Sequence, residues 1–205
     1  MYFSMNRISG FLEFRRLNSV LFCVLLTLCS MDSRADSAPI QSRQLQIIQV
    51  GDLFRLGVDT DPPWQWDVLT GNNSPVFTAE SPSNYYPSTV VEFSYYPQWV
   101  LKNDLQAIRT AAMEAVSASS KKFGIVLDVS QIDLQPFEFE RFSGFRANFT
   151  ASYNSSLRDV ELYIGRSLSG HPVSMTVITL PGKLPHLVHL ISRVGNSFSP
   201  IQSMH

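Results

Sequence analysis

His186 and His189 stand three residues apart in a segment that reads as helical, so one face of that helix could offer both imidazoles to a metal ion. Two ligands do not complete a site, and the other histidines, His171 and His205, are not placed near them by any sequence pattern. Leu187 and Val188 claim the buried face between the two, which leaves surface or boundary histidines as the simpler account. Asp59, Asp61 and Asp67 frame a loop that lacks the glycine and the bidentate glutamate of an EF-hand, so it reads as a solvated turn. Glu138 and Glu140, followed by Arg141, lie on or near a strand whose alternation puts both carboxylates on one side. A sugar-hydrolysing pair would need aromatic and polar company there. Gly165-Arg166-Ser167-Leu168-Ser169 lacks the closing glycine of a nucleophile elbow and falls in a hairpin. No phosphate-cradling glycine loop is present. The sequons at Asn148 and Asn154 matter only in a host that secretes through an endoplasmic reticulum.

Aromatic density is the stronger signal. Trp64, Trp66, Tyr85, Tyr86, Phe93, Tyr95, Tyr96 and Trp99 crowd the first half of the chain, beside Pro-rich loops. Alternation lets Trp64 and Trp66 share a face, while Tyr95 and Tyr96 point oppositely. Part of this set belongs to the core. The rest is expected to form a partner-binding patch, for which Trp64, Trp66, Tyr95, Tyr96 and Trp99 are the candidates.

The ends of the chain bear on where such a patch would act. Arg7, Arg15 and Arg16 precede an apolar run over 20–29, and Ser33-Arg34-Ala35 offers a small-residue cleavage pattern before Asp36. The run is about half the roughly twenty residues that a spanning helix needs, so residues 1–35 read as a cleaved export signal. Leu28 before Cys29 fits a lipoprotein box poorly, and Phe14 and Leu17 fit a twin-arginine signal poorly. Cleavage after Ala35 removes Cys23 and Cys29, leaving the mature chain without a disulfide, a thiolate metal site or a cysteine nucleophile. It also leaves 12 of 16 basic and 15 of 17 acidic residues, a formal net charge of −3 with no Lys/Arg cluster. Electrostatic binding to nucleic acid or to anionic lipid is therefore disfavoured, and any membrane contact would be peripheral.

The elements that must position these residues follow from periodicity. Residues 36–52 read as a flexible lead-in or a short strand, and 53–201 as one α+β domain. Strands are predicted at 54–58, 64–69, 76–80, 89–96, 125–129, 134–142, 144–153, 160–164 and 173–177. Leu101, Leu105, Ile108, Ala112 and Val116 recur on one helical face, with Asn103 and Gln106 as a capping box and Gly124 past the end. A helix over 103–122 results. Three consecutive antiparallel strands then feed a terminal helix whose apolar face is Leu184, Leu187, Val188, Ile191, Val194 and Phe198. Arg146, Asn148 and the two helix histidines assemble into no recognisable centre, so this last third reads as scaffold.

This order resembles the Mog1/PsbP-like fold and, within it, the DcrB-like proteins of bacterial envelopes. The resemblance rests on 90–96, the helix from Asn103, Ser143-Gly144-Phe145, the VELYIG run at 160–165, the MTVITLP run at 175–181 and the closing 191–198, and spans roughly 53–201. It implies an α/β/α sandwich around a mostly antiparallel sheet, used for protein binding and not catalysis. It supplies no catalytic residues. The chain differs from secretion chaperones of that group in its export signal, and from the envelope lipoproteins in its poor lipobox.

The resulting expectation is a non-enzymatic periplasmic or secreted protein, without cofactor or metal, that binds a protein or envelope component, as an accessory of a secretion or envelope system. Two alternatives stand beside it. One is a metal-dependent or carboxylate-using hydrolase built on His186, His189 and nearby carboxylates. The other is a structural subunit of an envelope machine.

Overall fold

A computed structural model describes residues 45–60, 62–69, 75–127, 132–153 and 155–201. The segment 1–35 read as an export signal, both cysteines and Asp61 lie outside the described residues. Among the described residues, ten strands and two helices follow one another as β1 (Leu45–Val50), β2 (Phe54–Asp59), β3 (Gln65–Leu69), β4 (Val76–Glu80), β5 (Thr89–Tyr95), α1 (Leu105–Lys122), β6 (Gln135–Glu138), β7 (Phe142–Tyr153), β8 (Ser156–Ser167), β9 (Pro172–Thr179), α2 (Val188–Ser197) and β10 (Ser199–Pro200). A 3-10 turn, Leu184–Leu187, leads into α2.

The strands form two antiparallel sheets. One has seven strands in the order β3-β4-β5-β9-β8-β7-β6, the other three in the order β1-β2-β10. Alternation sorts each strand of the large sheet between two cores. Phe145, Ala147, Val160, Leu162 and Ile178 turn to one face and pack under Ile108, Ala112 and Val116 of α1. Phe77, Phe93, Val173, Met175 and Val177 turn to the other, where α2 and the small sheet cover them with Leu190, Ile191, Val194, Phe54 and Leu56. The result is the α/β/α sandwich of an α+β protein.

Several elements differ from the sequence reading for identifiable reasons. The helix starts at Leu105, because Asp104 and not Asn103 caps it: Gln106 N–H donates to Asp104 Oδ1 at 3.1 Å. Leu105 is 72% exposed, so the buried face begins at Ile108. Gly124 does take the positive φ expected just past a helix end. Residues 125–127 form no strand. The strand expected at 134–142 is two, since the chain turns at Phe139–Arg141 and Phe142 opens β7. Val188 is 53% exposed, and Leu190 takes its place on the buried side of α2. Of the two readings of the lead-in, 45–50 is a strand, held in register by β2.

Candidate functional site

The β7–β8 hairpin sets out a polar strip on the α2 side of the sheet. Its two strands pair continuously from Tyr153↔Ser156, which places Arg146 opposite Tyr163, Asn148 opposite Glu161 and Thr150 opposite Asp159. On the same face, β9 and β5 carry only core residues such as Val177 and Val91, and α2 lies over them. Where this cover ends, the polar strip becomes the floor of a groove of about 790 Å³. Leu184, Pro185, Val188 and Ile191 form one wall, Phe137 and Phe139, on and just after β6, form the other, and Asp133 joins the polar floor.

The apolar walls are fixed by contacts away from the groove. Gly195 of α2 is in such close contact with Phe139 that an added Cβ would lie 2.8 Å from the ring. Glu140 N–H donates to Asn196 Oδ1 at 3.0 Å, which ties the β6–β7 connection to α2. Phe137, Phe139, Phe142 and Tyr163 add an aromatic cluster with centroids 5.1–5.5 Å apart.

The floor carboxylates are hydrogen-bonded. Glu161 is buried at 6% exposure. It accepts from the Tyr163 hydroxyl at 2.7 Å and pairs with Arg146 Nη1 at 3.3 Å. Burial and the adjoining Glu161 charge push the Tyr163 phenol well above its ordinary pKa, so it remains a donor. Arg146 is pushed up as well, chiefly by its hydrogen bond to Tyr163, and stays a cation. Asp159 accepts from Thr150 Oγ1 at 2.8 Å and from Gly182 N–H at 2.6 Å. Asp133 accepts from Gln135 Nε2 through both oxygens.

The residues singled out in the sequence are dispersed. Trp64, Tyr95 and Tyr96 are buried at 6%, 4% and 8% exposure, so an exposed aromatic patch cannot include them. Trp64 precedes β3 and turns into the core against Tyr85, while Trp66 is 46% exposed on the edge strand, so the two do not share an environment. Tyr95 packs on Phe54 and Phe198, and Tyr96 stacks on the half-buried Trp99. His186 and His189 are exposed, and no three His, Cys, Asp or Glu among the described residues are grouped to hold a metal. Glu138 and Glu140 are exposed and separated by the end of β6. Asp59 is not a solvated turn residue: it is buried at 2% and bonded to Arg193 Nη2 at 2.6 Å.

The groove residues had a sequence signal that composition alone does not show. The pairing of Tyr153 with Ser156 sets the hairpin register, and register carries Asp159, Glu161 and Tyr163 to the strand face of Arg146 and Asn148. The groove walls had none, because they depend on where α2 crosses the sheet.

On the α1 face, Glu92 sits between Thr78 and Thr176. Burial raises its pKa above the ordinary 4.5, and Lys122 opposes the shift only in part. A carboxyl raised in the folded state is bound more tightly by its proton there than in the unfolded chain. Stability therefore falls as pH rises from the unfolded value through the folded one. Glu92→Gln is expected to raise the melting temperature at pH 7 and to flatten that fall. Melting curves of both proteins from pH 4 to 8 check this, and parallel profiles would contradict it.

Fold and site together define an α+β sandwich with an open, mixed-polarity groove at the rim of its second core. No helix among the described residues is long and apolar enough to cross a membrane. No family model and no curated protein matches this sequence. Among solved structures, PA94 of Pseudomonas aeruginosa, a protein of unknown function, is similar at 11% identity and a TM-score of 0.43, over 78% of this chain and 99% of that one. LpqN of Mycobacterium tuberculosis, involved in cell envelope biogenesis, is similar at 14% identity and a TM-score of 0.41, over 78% of this chain and 92% of that one. At these values neither likeness bears on activity.

Proposed function

We propose that this is a non-enzymatic binding protein of the cell envelope that receives an envelope component or partner in the groove between α2 and the β6–β7–β8 edge. The carrying observation is the groove itself, with a volume of about 790 Å³, apolar walls and a polar floor. Clefts of roughly 300–1,000 Å³ with that division of labour are typical ligand sites, the walls supplying affinity and the floor orientation. Binding, and not acid–base chemistry, is favoured because each floor carboxylate already accepts from donors of its own chain. The envelope assignment rests on the export signal read at 1–35. The placement beside Mog1/PsbP-like, DcrB-like proteins rests on the motif order. Of the aromatic candidates, Trp66 and Trp99 keep enough exposure to take part in a second contact.

A photo-crosslinking residue in place of Val188, at the groove lip, tests the reading in the native cells. It is expected to give a discrete adduct that the same residue in place of Leu105, exposed on α1, does not give. A third position, replacing Trp66, reads the aromatic edge separately. No adduct at 188, or the same products from 188 and 105, would refute the groove as the binding site.

A further inference from the structure

We propose that the ligand of this groove is a small amphipathic organic cation, an amine or guanidinium carried on an apolar body. The inference rests on the binding role above and names the chemistry of the occupant.

Three carboxylates line the groove, Asp133, Asp159 and Glu161, against a single cation, Arg146. Arg146 is committed to Glu161. The donors to Asp159 and Asp133 are a hydroxyl, a backbone N–H and a side-chain amide, which satisfy geometry without cancelling charge. The lining thus carries a formal charge of −2. A carboxylate has about four acceptor sites, so Asp159, with one donor on each oxygen, can still accept from an ammonium or guanidinium.

An anion meets the opposite situation. Its one cationic partner in the lining is Arg146, whose charge is already set against the buried Glu161, so an anion would enter a lining that stays net negative, with only neutral donors such as Asn148 and Ser192 besides. A carboxylate or phosphate ligand is disfavoured by the floor itself. The walls complete the specification. Phe137 and Phe139 bring aromatic rings into the lining, a surrounding that favours a cation, and Leu184, Val188 and Ile191 offer an apolar seat for the rest of the molecule. The volume is that of a cleft for one small molecule. Addition of a peptide strand at β6 is hindered, because Pro136 has no N–H to contribute to a ladder at that edge.

Phenylbutylamine, phenylbutanol and phenylbutyrate share one body and differ in charge, and their binding to the mature protein can be followed by amide NMR shifts. The amine is expected to bind about tenfold more tightly than the carboxylate, a difference of about 1.4 kcal/mol. Its shifts should centre on Asp159, Glu161 and Val188, and the preference should shrink at high salt. Asp159→Asn, which keeps an acceptor oxygen, should weaken the amine several-fold and leave the alcohol unchanged. The exposed Asp133→Asn should act in the same direction, independently of any effect of the first substitution on the hairpin. Equal or tighter binding of phenylbutyrate overturns the cation assignment and leaves the groove as a site. If none of the three moves groove resonances, the small-ligand proposal falls. In that case an adduct from position 188 would still uphold the binding role, and its absence would end both.

Discussion

Replacing Arg193 with alanine is expected to cost about 3 kcal/mol of stability, a large share of the margin of a domain this size. The Asp59 side chain is completely buried, and Arg193, one-third exposed, reaches it from α2 at 2.6 Å. The second carboxylate oxygen, Oδ2, makes no hydrogen bond among the described residues, so Arg193 is what compensates the charge. Removing it leaves a carboxylate in the core between β2, Trp64 and α2. Replacing both members by apolar residues of similar size, as in Asp59→Leu with Arg193→Met, should recover most of the loss, because no charge is then stranded. Urea melts of the two single variants and the double variant measure this. A single-variant loss below about 0.5 kcal/mol would show that the pair behaves like an exposed one.

Phe198→Ala should cost as much or more, about 4 kcal/mol. Phe198 is fully buried just past α2, and its ring lies 4.9 Å from Phe93, 5.5 Å from Tyr95, 5.6 Å from Phe142 and 5.9 Å from Phe54. Those rings come from β5, β7 and β2, so one side chain joins both sheets to the end of α2. Rings already packed on four sides cannot close the void that truncation leaves. Phe198→Leu should lose far less than Phe198→Ala. Equal losses would mean that backbone geometry at the helix end, and not the ring, holds this junction.

Legibility in the sequence divides along physical lines. Local periodicity exposed α1, the β7–β8–β9 meander and the C-terminal helix, because each satisfies its own repeat over many residues. It misplaced Leu105 and Val188, since a period identifies a face but not how far a neighbour covers it. At 137–142 an unbroken run of aromatic and charged residues hid the turn at Phe139–Arg141, which tertiary contacts with Gly195 and Asn196 hold in place. The aromatic crowd of the first half was visible as composition, yet composition does not separate Trp64, turned inward on Tyr85, from Trp66 two residues later. The groove floor was implicit in hairpin register. Its depth was not, because it depends on the path of α2.

The placement of two cores on opposite faces of one sheet has a consequence for how this protein can change. Side chains beneath α1 and side chains around the groove alternate along the same strands, yet they touch different neighbours. Effects of substitutions that share no partner are close to additive. Residues such as Asn148, Thr150 and Val188 can therefore drift without disturbing the helix on the far side. The sheet thus acts as a partition, so that the packing under α1 and the polar strip of the β7–β8 hairpin can be altered separately.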